Sequence, residues 1–105
     1  MKIWEEPVEF EWDKGNIEKN WNKHKVSFKE AEQPFVNNEK FIFPDENHSS
    51  SENRLALFGI TDKGRKLSIV FTIRSGKVRI IMARDMSKKE RRDYEKLKEN
   101  SKIQK

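Results

Sequence analysis

The sequence lacks several features on which whole classes of protein depend. It contains no cysteine, which excludes disulfide bonds, thiolate metal sites and a cysteine nucleophile. Only 33% of its residues are hydrophobic, and no apolar run approaches the roughly 18 to 20 residues that cross a bilayer. The first ten residues, MKIWEEPVEF, lack the apolar stretch of a signal peptide. These absences predict a cytoplasmic protein without a membrane-spanning segment.

Motifs for metals and nucleotides are absent as well. The two histidines, His24 and His48, are not joined by H-E-x-x-H or a similar ligand spacing. The sequence has no glycine-rich phosphate loop and no G-x-S-x-G elbow. We therefore expect no metal site and no cofactor, which leaves either nucleic-acid chemistry that needs no cofactor or binding alone.

Length and composition predict one small domain. A chain of 105 residues is near the commonest size for a single compact domain. Seven Phe and three Trp supply large buried areas, whereas 39% of the residues are charged. We expect one domain over residues 1–105, with an aromatic core within about 8–95 and a tail at 96–105 that frays.

The net charge of +5 is distributed unevenly along the chain. Residues 1–62 carry 8 Lys/Arg against 13 Asp/Glu, and residues 85–105 carry 8 against 5. Between them, residues 63–84 carry seven Lys/Arg and no acidic residue. Such a block attracts polyanions. Charge alone predicts a nucleic-acid partner and an acidic protein partner about equally.

Hydrophobic periodicity predicts the order of the structural elements. Asp13 is placed to cap a first helix, and S-x-x-E patterns beginning at Ser27 and Ser87 predict the starts of two more. The short links TDKGR and SG indicate tight hairpins and hence an antiparallel meander. We predict an α+β fold of order β-α-α-β-β-β-β-α, with an antiparallel sheet packed on the N-terminal helices and an exposed loop at 44–53. The predicted strands span residues 8–12, 40–43, 54–61, 66–74 and 77–84, and the predicted helices span 14–24 and begin near 28 and 88.

The SG turn also predicts a register for the last two strands, because Arg74 then lies opposite Lys77. One face becomes continuously apolar, and the other carries Arg74, Lys77 and Arg79, a cluster suited to phosphate and to the charge of a phosphoryl transition state. The alternative is that these cations contact only water or an acidic helix. Arg84 is expected to point with the apolar face and to reach around from the strand end. The apolar pairs expected are Ile73 with Val78, Phe71 with Ile80 and Ile69 with Met82.

His24 has two interpretations. It shares a helix face with Ile17 and Trp21, and at a helix C-terminus a protonated imidazole gains roughly 0.3 to 1 kcal/mol from the dipole. A histidine is also the side chain best suited to proton transfer near neutral pH. Spacing alone favours the helix end.

A series of short motifs runs through residues 8–95. They are F-E-W-D at 10–13, N-x-x-K-H at 20–24, V-S-F-x-E-A at 26–31, P-D-x-x-H-S at 44–49, E-x-R at 52–54, Gly59, V-F-T-x-R at 70–74, R-I-I-x-A-R at 79–84 and E-R-x-x-Y at 90–94. Each motif is short, but their combination and order are specific. The set resembles the motifs of one known family, the BrnT bacterial toxins.

The resemblance implies a RelE-like fold and a metal-independent ribonuclease that inhibits translation. It also implies a BrnA-type antitoxin with a ribbon-helix-helix domain, through which alone the complex would bind operator DNA. The substrate would be RNA, free or on the ribosome. A different class of function remains open, a non-enzymatic nucleic-acid-binding protein or an antitoxin-bound corepressor, which would bind RNA in a salt-dependent way without cleaving it.

Together with the basic face, the resemblance implies the residues of the site. Lys25 stands where many relatives have glycine, a difference expected to affect the helix end more than the chemistry. The residues expected to be catalytic are Lys23, His24, Arg74 and Arg79, and those expected to contact RNA or phosphate are Arg54, Lys77, Arg84, Glu90 and Tyr94.

Overall fold

The computed structural model describes residues 8–45 and 53–103. The predicted order β-α-α-β-β-β-β-α is confirmed. Most of the loop expected at 44–53, with His48 in it, lies outside the described residues. The last helix runs to Ile103, through most of the tail at 96–105 that was expected to fray. The elements are β1 (Phe10–Glu11), α1 (Lys14–His24), α2 (Phe28–Val36), β2 (Phe41–Pro44), β3 (Leu55–Ile60), β4 (Lys66–Arg74), β5 (Lys77–Asp85) and α3 (Lys88–Ile103).

The five strands form one sheet of order β1-β5-β4-β3-β2. Strands β2 to β5 make the predicted antiparallel meander. Strand β1 runs parallel to β5, with Phe10 opposite Val78 and Glu11 opposite Arg79. The sheet is therefore mixed, which corrects the expectation of a wholly antiparallel one. No short link joins β1 to its neighbour, so nothing local in the sequence fixes its direction.

Side chains cap the helix starts as the sequence predicts. The Asp13 carboxylate accepts a hydrogen bond from the Asn16 backbone N–H at 2.7 Å. A reciprocal capping box joins Ser27 to Glu30 at the start of α2. The same box recurs at Ser87 before α3. Each cap fixes where its helix begins.

The main core lies between one face of the sheet and helices α1 and α2. Phe35 is fully buried and makes edge-on contacts with Phe10 and Phe71. Phe28 remains 39% exposed and packs edge-on against Trp12. The fully or almost fully buried side chains of this core are Val26, Ala31, Phe35, Leu57, Leu67, Ile69, Phe71, Val78, Ile80 and Ala83.

The opposite sheet face, called here the open face, carries a smaller core beneath α3. Tyr94 is fully buried there and packs with Phe58 and Met86. Lys66, at the start of β4, forms an ion pair with Glu95 of α3 at 2.8 Å. Helix α3 therefore lies at the end of the open face where β4 begins, away from the β4–β5 turn.

A β-bulge changes which side chains of β5 reach the open face. The predicted register holds from the turn as far as Phe71 opposite Ile80, and Ser75 and Gly76 both have positive φ in that turn. Beyond this pair Ile81 is an extra residue, so Ile69 lies opposite Ala83 and the expected pairing with Met82 is wrong. The alternation of β5 reverses after the bulge. Arg84 consequently lies opposite Ser68 on the open face, and its expected position with the core face is also wrong.

Candidate functional site

Helix α1 lies along the edge of β5 beyond the short strand β1. Asn16 Nδ2 donates to the Ile80 carbonyl, and the Ala83 N–H donates to Asn20 Oδ1, both at 3.3 Å. These amides replace a neighbouring strand, because backbone polar groups at a buried edge require partners. Asn20 is therefore the buried residue of α1, whereas Trp21, expected on the same helix face as Ile17 and His24, is 49% exposed. The second of these bonds meets β5 just after its bulge.

A basic cluster forms on the open face at the turn between β4 and β5. Arg74, Lys77 and Arg79 lie on this face of two adjacent strands, as the register predicts. Arg54 immediately precedes β3, and the carbonyl next to it, that of Asn53, accepts a hydrogen bond from the Thr72 hydroxyl at 3.1 Å. The name basic cluster refers below to Arg54, Arg74, Lys77 and Arg79.

Carboxylates from the N-terminal segment accompany this cluster. Arg79 Nη2 is 2.6 Å from Asp13 Oδ2, and Lys77 Nζ is 4.0 Å from Glu9 Oε2. The hydrogen bond from the Asn16 backbone, followed by that from Arg79, lowers the pKa of Asp13. Although residues 63–84 contain no acid, the parallel pairing of β1 with β5 brings acids to their side chains. A phosphate at Arg79 must therefore compete with an ionised carboxylate.

His24 is the last residue of α1 and is half-buried. Burial lowers its pKa, and the positive charges of Lys23, Arg84 and Lys19 lower it further, against an opposing effect of Asp85. An imidazolium stabilised by the helix dipole would show the opposite shift. In the part of the chain that the structure describes, no hydrogen bond reaches the imidazole ring. The lowered pKa favours the uncharged ring, which can accept a proton.

Arg84, one of the cations whose charge lowers the pKa of His24, is held by the cap of α3. Its Nη1 and Nη2 atoms contact the two carboxylate oxygens of Glu90 at 2.7 and 2.9 Å. This pairing raises the pKa of Arg84 and lowers that of Glu90. Glu90 also closes the capping box with Ser87. The structure thus gives Glu90 the role of orienting a cation, because a carboxylate would repel a phosphate.

Tyr94, expected to contact RNA, is not on the surface. Its side chain is fully buried, and its hydroxyl donates to the Glu39 carbonyl at 2.6 Å. Burial raises its pKa to about 12. Tyr94 is therefore part of the core beneath α3 and presents no side-chain surface to RNA.

Arg65 is a residue that the sequence did not single out. Its guanidinium donates to Asp85 at 2.7 Å and to the backbone carbonyls of Lys25 and His24 at 2.9 and 3.2 Å. It also contacts Glu30 of the α2 capping box at 3.2 Å. Arg65 thereby ties the C-terminal end of α1 to the strand end beside Arg84. Its only sequence signal is its place after glycine in the TDKGR turn.

The candidate residues form two groups at opposite ends of α1. The basic cluster lies near Asp13, which caps the start of that helix, whereas His24, Lys23 and Arg84 lie near its end. Eleven helical residues at 1.5 Å each span about 16 Å. The structure therefore does not bring His24 together with Arg74 and Arg79, as a single compact catalytic site would require.

The described residues offer neither a metal site nor a membrane-spanning helix. They contain no group of three or more His, Cys, Asp or Glu side chains that could hold a metal ion. None of their helices is long and apolar enough to span a membrane.

Fold and site together define a small α+β protein with a basic sheet face and, at the edge of that face, a histidine whose pKa is lowered. Residues 12–90 match the family described as the ribonuclease toxin BrnT of type II toxin–antitoxin systems. Since the match spans about three quarters of the chain, the chain belongs to this family. Comparison with curated proteins found no match.

Proposed function

We propose that this chain is a metal-independent endoribonuclease that inhibits translation by cleaving RNA, with His24 as the general base. The observation that carries the proposal is that the Arg65 guanidinium links the backbone carbonyl of His24 to the carboxylate of Asp85, the residue next to Arg84. A neutral imidazole can accept a proton, and a permanently charged guanidinium can stabilise a phosphate that gains negative charge. Both lie at the edge of a face whose positive charge suits a polyanion.

The reaction is transfer of the phosphate to the neighbouring ribose hydroxyl. His24 takes the proton of the 2′-hydroxyl as its oxygen attacks phosphorus, so a P–O2′ bond forms. The P–O5′ bond breaks, and the leaving oxygen takes a proton from the Lys23 ammonium. Arg84 stabilises the extra negative charge of the pentacoordinate transition state. The products are a 2′,3′-cyclic phosphate and a 5′-hydroxyl, and no metal is required to balance the reaction.

The basic cluster holds the backbone on one side of the scissile phosphate. Its distance from His24, about 16 Å along α1, supports a role at neighbouring nucleotides instead of at the reacting phosphate. Arg79 exchanges its ion pair with Asp13 for one with phosphate as RNA binds. Arg74 and Arg79 therefore contribute to affinity and positioning in this proposal, which differs from the catalytic role that the resemblance implies.

The partner proposed for the chain is a BrnA-type antitoxin. Membership of a type II toxin–antitoxin family supports a protein antitoxin. Its ribbon-helix-helix domain would carry the contact with operator DNA, and its binding would neutralise the toxin. RNA on the ribosome and free RNA are both candidate substrates.

A comparison of the two histidines tests the proposal. Purified wild-type protein is incubated with single-stranded RNA in EDTA, beside His24→Gln and the matched control His48→Gln. We expect cleavage by the wild type and the control, and at least a hundredfold slower cleavage by His24→Gln, the usual effect of losing a general base. Equal rates in both variants would contradict the role of His24. Tight binding of RNA without products in the wild type would instead support a non-enzymatic binder.

A further inference from the structure

Helix α3 presents a second basic surface to solvent. Lys88, Arg92 and Lys96 are exposed and repeat every four residues, on the side of the helix away from the buried Tyr94. Arg91 lies beside them and is also exposed. The name α3 row refers below to Lys88, Arg92 and Lys96.

The acidic residues in the first three turns of α3 are engaged elsewhere. Glu90 is paired with Arg84, Asp93 with Lys89, and Glu95 with Lys66. By contrast, no ion pair within residues 8–45 and 53–103 involves the α3 row or Arg91. Glu99 is the remaining acid along the same side of the helix. The helix therefore keeps its negative charge in pairs and presents its unpaired positive charge outward.

The spacing of the α3 row places like charges about 6 Å apart along the helix axis. Like charges four residues apart destabilise a helix, because the side chains are neighbours on its surface. An anion placed along the row would remove this repulsion. Binding of a polyanion along the row would therefore stabilise the helix.

We propose that the α3 row binds the phosphate backbone of the substrate RNA, outside the cleavage site. This inference rests on the proposed function, which makes RNA the substrate. Helix α3 packs on the same sheet face that carries the basic cluster, so one RNA strand can contact both surfaces. Contacts of Lys and Arg with phosphate supply affinity without sequence preference.

The chemistry of the surface favours RNA over a folded protein partner. Protein interfaces centre on buried aromatic or apolar anchors. The shallow depression on this side of α3 is lined only by charged side chains, namely Lys88, Arg91, Arg92, Glu95, Lys96 and Glu99. Such a surface lacks an anchor and offers cations at intervals along a line.

Binding of a non-cleavable RNA as a function of salt tests the inference. The probe is a fluorescent single-stranded 2′-O-methyl RNA, and its affinity is measured by anisotropy. The KCl concentration runs from about 50 to about 300 mM, which includes the range of about 50 to 200 mM over which phosphate contacts change affinity strongly. Two triple variants with equal net charge are compared, and circular dichroism verifies that both are folded. The row variant is Lys88→Gln with Arg92→Gln and Lys96→Gln, and the control is Lys14→Gln with Lys29→Gln and Lys63→Gln.

The row variant should show a slope of log affinity against log salt that is less steep than wild type by about 2, since each phosphate contact on a single strand contributes about 0.7. The control should keep the wild-type slope, and the rate of cleavage at saturating RNA should be unchanged in the row variant. Equal slopes in the row variant and the control would overturn the inference. A row variant that loses binding to polyglutamate, an acidic polypeptide, while it binds RNA as wild type does would also overturn it. Wild-type protein that fails to bind the probe would contradict the proposed function itself.

Discussion

Replacement of Arg79 by alanine should weaken RNA binding through the loss of one phosphate contact. The four cations of the basic cluster would neutralise four phosphates, which predicts a contribution of about −3 to the slope of log affinity against log salt for a single strand. Arg79→Ala should make the slope less steep by about 0.7. Its ion pair with Asp13 predicts a second effect, because that carboxylate competes with phosphate. Asp13→Asn should therefore bind RNA more tightly than wild type.

The assay is anisotropy of a labelled, non-cleavable RNA over a series of salt concentrations. Lys63→Ala is the matched control, because Lys63 is exposed in the β3–β4 link and its loss changes the net charge equally. A change in the general field of the protein would affect both variants alike, whereas a contact affects only Arg79→Ala. Identical slopes for the two variants, or weaker binding by Asp13→Asn, would refute the assignment of phosphate contacts to this face.

Three further predictions concern stability. Gly59→Ala should lower the free energy of unfolding by about 1 to 3 kcal/mol, because a Cβ atom there would lie 2.9 Å from Pro34 Cβ; thermal unfolding that matches wild type would contradict the close contact. Lys25→Gly should raise stability by about 0.5 to 1 kcal/mol, since Lys25 has φ 55 where glycine is unstrained, and a lower melting temperature would contradict this account. Hydrogen bonding to an arginine lowers the pKa of Glu90, so its contribution is complete above the unfolded carboxyl value and is lost as the pH falls through the folded value. Glu90→Gln should therefore lose less stability than wild type between pH 6 and pH 3, taken as bracketing the usual carboxyl pKa of about 4.3, and equal losses in acid denaturation would count against the pairing.

The order of elements followed from local signals in the sequence. Hydrophobic alternation, the S-x-x-E caps and the glycine in each short link all act within a few residues, so they could be recognised without a partner element. The same locality explains the success of the register next to the SG turn, where Phe71 was expected opposite Ile80.

The predictions that were wrong depend on contacts between segments distant in the chain. The bulge at Ile81 breaks a register that period-two counting continues, and Asn20 of α1 contacts the strand beside it. Arg84 therefore appears on the face opposite the expected one. The direction of β1 likewise depends on a partner far along the chain, and with it the approach of Asp13 to Arg79.

The sequence predicted which residues share the basic face, but it did not predict how far His24 lies from them. The basic face follows from the register, but the separation of His24 from it depends on the path of α1 along β5. The role of Arg65 could not be recognised from the sequence, because its side chain contacts residues far from it in the chain. These partners lie at the C-terminal end of α1, in α2 and in β5. A single arginine in a turn carries no signal of such contacts.

Single-turnover cleavage of RNA in EDTA, followed across pH with analysis of the product ends, tests the central claim most directly. The account predicts 2′,3′-cyclic phosphate and 5′-hydroxyl ends. It also predicts a rate that rises with pH through a midpoint below 6.5, the ordinary histidine value, because the pKa of His24 is lowered. Products with 3′-hydroxyl ends, or a rate that is the same on both sides of that pH in wild type and in His24→Gln, would contradict it.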